Sequence, residues 1–176
     1  MKIEKLILGE LEENCYILTK GNNCLIIDPG DEFEKIKEKI GTKKVVGCLI
    51  THFHDDHIGA LEKVKKYYKV KVNETKYEDF DFETIDTKGH TNDSKSYYFK
   101  ENKVMFVGDF LFKSSFGRTD LGGSNEDMKK SLETISQYDD DITIYPGHGP
   151  KTTLGAEKTN FAYYVRYYLW ILITKN

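Results

Sequence analysis

Thr51-His52-Phe53-His54-Asp55-Asp56-His57 places three imidazoles and two carboxylates within seven residues. The residues just before it, Val45-Val46-Gly47-Cys48-Leu49-Ile50, are mostly apolar, and with Thr51 they predict a strand over Val45–Thr51. Residues two apart on an extended segment face one side, so His52 and His54 present their rings to one ion. Once the chain turns, Asp56 and His57 face a neighbouring point. The remaining candidate ligands stand in similar settings. His90 lies in Lys88-Gly89-His90-Thr91, Asp109 ends Val107-Gly108-Asp109, and His148 lies in Pro146-Gly147-His148-Gly149-Pro150. A glycine beside each admits close backbone approach and unusual dihedral angles. Strand ends gathered at one sheet edge are where functional groups carried on loops converge.

Imidazoles and carboxylates suit zinc, and also iron or manganese, and no thiolate in these motifs narrows the choice. Three histidines plus a shared carboxylate make one site, and an aspartate, two histidines and the same carboxylate make another. Two cations held close by a bridging carboxylate ionise water at neutral pH, because metal binding lowers its pKa from 15.7 to about 7. A lone histidine is usually a surface or satisfied core residue. All five histidines of this chain fall in such motifs, with Asp56 and Asp109 in register, so the expectation is metal binding.

Away from these motifs, short apolar runs predict strands at Cys15–Leu18, Cys24–Ile27, Val70–Val72, Phe82–Asp86, Ser96–Phe99, Val104–Val107 and Ile142–Tyr145. Phe33, Ile36 and Ile40 predict a helix stopped by Gly41, and a second is expected over Ile58–Tyr67. Ser124-Asn125-Glu126-Asp127 caps a third, with Met128, Leu132 and Ile135 on one stripe. A last helix, rich in aromatics, is expected at about 156–173. Strands interleaved with helices argue for an α/β layered protein. With no Ser/Gly/Pro-rich linker, the expectation is a single domain over 1–176.

The 176 residues are 31% charged and 39% apolar, a composition that excludes a disordered chain. A net charge of −3 without a basic stripe gives no expectation of nucleic-acid binding. Cys15, Cys24 and Cys48 read as buried free thiols in a reducing compartment, and no leader is visible, so the expected location is cytoplasmic. The tail Phe161–Ile173, with Arg166 inside it, is too short for the roughly 20 residues of a spanning helix. No membrane partner is expected; the tail reads as a packed helix or, next, as a homodimer surface.

The Thr-His-Phe-His-Asp-Asp-His run, with Gly89-His90-Thr91, Gly108-Asp109 and Pro146-Gly147-His148-Gly149-Pro150 in order, resembles the signature of the metallo-β-lactamase fold superfamily. Phe116-Gly117-Arg118-Thr119-Asp120-Leu121 followed by Gly122-Gly123-Ser124 is similar to the short glyoxalase II-like hydrolases. So are Asn14-Cys15-Tyr16, Ile26-Ile27-Asp28-Pro29-Gly30 and Lys158-Thr159-Asn160-Phe161. The resemblance covers roughly residues 3 to 161. It implies a four-layer αββα sandwich with a dinuclear centre, zinc first among the candidate ions. His52, His54 and His90 would hold one metal, and Asp56, His57 and His148 the other. Asp109 would bridge them, and Asp56 and Asp109 would be the catalytic residues. The implied reaction is hydrolysis of a small acyl-thiol by a hydroxide shared between the metals.

Some residues depart from the pattern. The third motif reads Gly-His-Thr-Asn-Asp-Ser, with Asn92 and Asp93 where the family more often has Pro-Gly. The stretch from His57 to His90 is short, and the helical region with which full-length glyoxalase II enzymes contact glutathione is not in this sequence. The resemblance therefore leaves the thiol carrier open. Two other chemistries share the fold: an iron-dependent persulfide dioxygenase, and phosphodiester or RNA cleavage. Retention of Asp56, His57 and His148 disfavours the first, and the acidic charge the second. Asp28 is either a turn former or an outer partner of a ligand histidine. Asp55 reads as a turn or cap residue. Arg118 and Asp120 read as a structural pair before a substrate contact, and Thr91 and Tyr145 as neighbours of ligands.

Overall fold

The computed structural model describes residues 1–161 and 163. Its first sheet has the order β1-β2-β3-β4, from Lys2–Leu8, Glu13–Lys20, Asn23–Ile27 and Lys44–Leu49. The second runs β11-β10-β7-β6-β5, from Thr152–Thr153, Thr143–Pro146, Val104–Gly108, Lys95–Phe99 and Glu83–Asp86. A small hairpin, β8 (Leu111–Phe112) with β9 (Ser115–Phe116), lies beyond β7.

Period-two alternation builds the layers. Tyr16 and Leu18 of β2, Leu25 and Ile27 of β3, and Val104 and Phe106 of β7 point into one aromatic-rich core between the sheets. The alternate residues Cys15, Ile17, Cys24 and Ile26 turn outward and meet Phe33, Ile36 and Ile40 of α1 (Phe33–Ile40), and Leu61 and Val64 of α3 (Leu61–Tyr68). On the far side, Met105 and Val107 meet Met128, Leu132 and Ile135 of α4 (Asn125–Ile135). Burying each of these apolar side chains contributes about 1.5–3 kcal/mol. β2 and β3 are covered on both faces, which is why they read as continuous apolar runs. Helix, sheet, sheet, helix is the αββα arrangement.

The local signals act as expected at α1, whose Gly41 cap has φ +62° and donates to Lys37 O. They do so again at α4, where Ser124 Oγ accepts from Asp127 N.

Other segments differ from the sequence reading. β1 was not expected, because Lys2, Glu4 and Lys5 interrupt its apolar residues. It is an edge strand pairing with β2 alone, where charges are tolerated. The segment expected as a strand at Val70–Val72 makes a single bridge, Val72 to Cys48. The helix expected over Ile58–Tyr67 is two pieces, α2 (Asp55–Ile58) and α3. Between them Ala60 N donates to Pro29 O, and a Cβ on Gly59 would stand 2.3 Å from Gly30 O. Docking on the 28–30 turn takes the backbone out of the helix there. Of the helix expected at 156–173, residues 154–161 are helical and Leu154 and Phe161 are buried on the second sheet. The rest of it, with the expected dimer surface, lies outside the described residues.

Among the described residues no helix is long and apolar enough to cross a membrane.

Candidate metal centre

The first group forms where β4 ends. His52 and His54 follow Leu49 by a few residues, and His90 arrives from the loop between β5 and β6. The three rings stand with centroids 4.6–4.9 Å apart, and His90 Nε2 lies 3.0 Å from His54 Nδ1. The second group is Asp56 and His57, both on α2, with His148 from the loop after β10. His148 Nε2 lies 3.1 Å and His57 Nε2 3.7 Å from Asp56 Oδ2. Asp109 stands between the groups. Its Oδ1 is 3.4 Å from His57 Nε2, while Oδ2 is 3.7 Å from His90 Nε2 and 3.6 Å from His148 Nε2. All of the expected ligands are thus brought together.

Two glycines make this convergence possible. Gly108, with φ +51°, brings β7 so close to the first sheet that an added Cβ would lie 2.2 Å from Thr51 Oγ1. A Cβ on Gly147 would lie 2.2 Å from Asp109 Oδ1 and 2.6 Å from His57 Cε1.

Each histidine is held from behind by an oxygen. His54 Nε2–H donates to Leu121 O (3.2 Å), His90 Nδ1–H to Arg118 O (2.7 Å) and His148 Nδ1–H to Leu11 O (3.0 Å). A carbonyl only accepts, so these contacts fix the tautomers. His57 Nδ1–H donates to Asp28 Oδ2 at 3.2 Å. The same Oδ2 accepts the Thr51 hydroxyl proton at 2.7 Å, so Thr51 Oγ1 accepts from His52 Nδ1–H at 3.1 Å. The nitrogens left over are His52 Nε2, His54 Nδ1, His57 Nε2, His90 Nε2 and His148 Nε2, the atoms that face one another. His52 Nε2, His57 Nε2 and Asp109 Oδ1 are buried without a hydrogen-bond partner among the described residues. Buried polar atoms are rarely left so, and their convergence fits divalent cations.

The electrostatics point the same way. Burial pushes His52 down to about 2, helped by the neighbouring His57, so its ring is neutral and free to ligate. Burial also lowers His90. For His57 burial works against the charged form, but Asp109 and Asp28 outweigh it and hold the imidazole well above its ordinary range. Asp109 is the counterpart: burial would raise it, yet His57 holds it low. The cluster is arranged to accommodate positive charge.

Asp28 is both turn former and outer partner. It has φ +49°, and beyond the two contacts above its Oδ1 accepts from Thr51 N at 2.7 Å. Asp55 is exposed and opens α2. Arg118 and Asp120 form a bidentate exposed pair, both bonds 2.6 Å, which closes the turn whose Arg118 and Leu121 carbonyls hold the first group. Thr91 is buried against Ser94, and the Tyr145 ring stacks on Phe106 at 5.0 Å. Neither is aimed at the cluster by these contacts.

Glu13 was not anticipated at the site, and Asn14 and Thr51 stood in motifs without a role of their own. Glu13 is 1% exposed, 3.9 Å from His57 Nδ1, and its carboxylate oxygens have no hydrogen-bond partner among the described residues. Burial, with Asp28 nearby, raises its pKa well above the ordinary range. Glu13 follows Glu10 and Glu12, and nothing in the sequence sets it apart from those acids.

Residues 8–73 and 72–148 match the family described as the metallo-beta-lactamase superfamily. The "Probable metallo-hydrolase YqgX" of Bacillus subtilis is 30% identical, over 90% of this chain and 95% of that protein. The "Hydroxyacylglutathione hydrolase GloC" of Haemophilus influenzae is 31% identical, again over 90% of this chain and 95% of the relative. Among solved structures, TTHA1623 "in a di-iron-bound form" superposes with a TM-score of 0.81 at 29% identity, covering 88% of this chain and 96% of that one. Fold, converging histidines and aspartates, and relatives agree, and the chain belongs to the metallo-β-lactamase superfamily, as one of its metallohydrolases.

Proposed function

We propose that the chain is a dinuclear thioesterase that cleaves small acyl-thiols of the hydroxyacylglutathione kind. His52, His54 and His90 would hold one ion, Asp56, His57 and His148 the other, and Asp109 both. Zinc suits these ligands, with iron or manganese as alternatives. Two such ions would supply water acidified to a pKa of about 7 and a positive centre for the carbonyl oxygen. The observation that carries the reading is Asp109, whose Oδ1 faces His57 and whose Oδ2 faces His90 and His148.

The protein's own part is orientation. Asp28, Thr51 and the carbonyls of Leu11, Arg118 and Leu121 hold the rings so that their free nitrogens converge. Asp56 turns Oδ2 to His148 and His57. Leu11, Phe53 and Leu121 are exposed beside the ligand-bearing turns, and such an apolar rim favours a small acyl group. The unpaired buried cysteines suit a reducing compartment, so we assign the protein to the cytoplasm.

The test is metal analysis and an acyl-thiol panel, S-lactoylglutathione included, on one preparation. We expect close to two ions per chain and release of free thiol. A metal-loaded sample with no turnover across the panel refutes the reading. Oxygen uptake with a thiol persulfide would replace it.

A further inference from the structure

The Pro146–Gly149 turn leaves β10 in the second sheet, yet most of its hydrogen bonds run to the first. Asn14 Nδ2 donates to Pro146 O and to Gly149 O, both at 2.9 Å. Asn14 N donates to Gly147 O at 2.7 Å, and Tyr16 OH to Pro146 O at 2.6 Å. The His148 ring itself reaches Leu11 O, in the turn between β1 and β2. From its own sheet the turn gains the Gly147 N bond to Gly108 O at 2.8 Å. The one Asn14 amide therefore spans both ends of the turn that presents His148. Asn14 is 1% exposed, so water does not compete for its two N–H groups. Its Oδ1 is buried without a partner among the described residues. That arrangement spends a desolvated acceptor to place two donors, which folding alone does not require.

We propose that Asn14 is a positioning residue for the second metal group: by holding both ends of the 146–149 turn it sets where His148 Nε2 stands relative to Asp56 and Asp109. Tyr16 supports the same turn through the Pro146 carbonyl. The inference rests on the two-metal reading above. Asn14 touches neither group of ligand atoms, and its effect passes through the backbone on either side of His148. The first group, His52, His54 and His90, draws its outer contacts from Thr51, Leu121 and Arg118 and does not depend on this turn.

The experiment is titration of the metal-free protein with Zn²⁺ against a chromophoric chelator, resolving two dissociation constants, with Co²⁺ absorption spectra to assign each group. Wild type is expected to take up two ions. Asn14→Ala is expected to keep the tighter constant and weaken the second 10–100-fold, the range typical of lost outer contacts. Tyr16→Phe is expected to weaken the second constant by less. Asn23→Ala removes another side-chain amide contact, to the exposed Asp79 away from the site, and is expected to change neither constant. If Asn14→Ala leaves both dissociation constants unchanged, or raises both alike, the proposal is wrong. Should that variant fail to fold, Tyr16→Phe decides: an unchanged second constant overturns the proposal. A wild type that takes up fewer than two ions overturns the two-metal reading itself, and this inference with it.

Discussion

Gly147→Ala tests how tightly the two sheets close around the centre. Gly147 has no positive φ, so alanine meets no backbone penalty there. The obstacle is space. The new methyl carbon would stand 2.2 Å from Asp109 Oδ1, 2.6 Å from His57 Cε1 and 3.1 Å from the Gly108 carbonyl carbon. The backbone cannot retreat freely, because Gly147 N is bonded to Gly108 O at 2.8 Å and Gly147 O to Asn14 N at 2.7 Å. The ligand side chains must therefore yield by roughly 1 Å, a displacement that costs on the order of 100-fold in rate at a reacting centre. That loss corresponds to about 2.7 kcal/mol of transition-state stabilisation. Overpacking is expected to cost a further 1–3 kcal/mol of folding stability, roughly. The assay is kcat/KM for acyl-thiol hydrolysis together with metal content. Gly21→Ala serves as the control: its φ is +56° but nothing lies within 4 Å of an added Cβ, so it strains the chain away from the ligands without crowding them. Wild-type kcat/KM with a full complement of metal in Gly147→Ala would refute the reasoning.

Three further outcomes follow from the same geometry. Stripping the metals with a chelator removes ions that bind only the folded chain. At a thousandfold excess over Kd each ion stabilises by about 4 kcal/mol, roughly 8 for the pair. At about 2–4 °C per kcal/mol, Tm should fall by roughly 16–32 °C, and a calorimetric scan that chelator leaves unmoved would contradict this. Asp28→Asn tolerates the φ of +49° but loses the carboxylate that holds Thr51 and His57, so metal affinity should fall roughly 10–100-fold in the same chelator competition. Glu13 has a pKa raised by burial, so its contribution to stability is full below the ordinary value near 4.5 and declines as pH rises towards the folded pKa. Glu13→Gln removes that decline. Its urea midpoint should gain on wild type between pH 5 and pH 7, and a constant difference would show Glu13 to be ionised in the fold.

The ligand cluster was legible because metal ligation admits few side chains, and the five histidines, with Asp56 and Asp109, sit in short motifs at predicted strand ends or beside glycines. The alternating cores of β2, β3 and β7 were legible because burial on one or both faces leaves a pattern in the residues themselves. β1 was not, since an edge strand carries Lys2, Glu4 and Lys5 without penalty. Gly59 gave no warning of the break between α2 and α3, because the cause is a carbonyl of the Pro29 turn, distant in sequence. Asn14 and Tyr16 stood out as a motif, but their task became visible only with the Pro146–Gly149 turn in place. The Arg118–Asp120 pair was foreseen as a pair, and the Arg118 and Leu121 carbonyls that meet His90 and His54 were not, since carbonyls carry no sequence signal.

Each metal group draws ligands from both sheets: His52 and His54 join His90, and Asp56 and His57 join His148. During synthesis His57 leaves the ribosome about ninety residues before His148, so neither half of the nascent polypeptide can assemble the second group. The complete ligand set of that group therefore exists only once the two sheets have come together, which couples its assembly to folding.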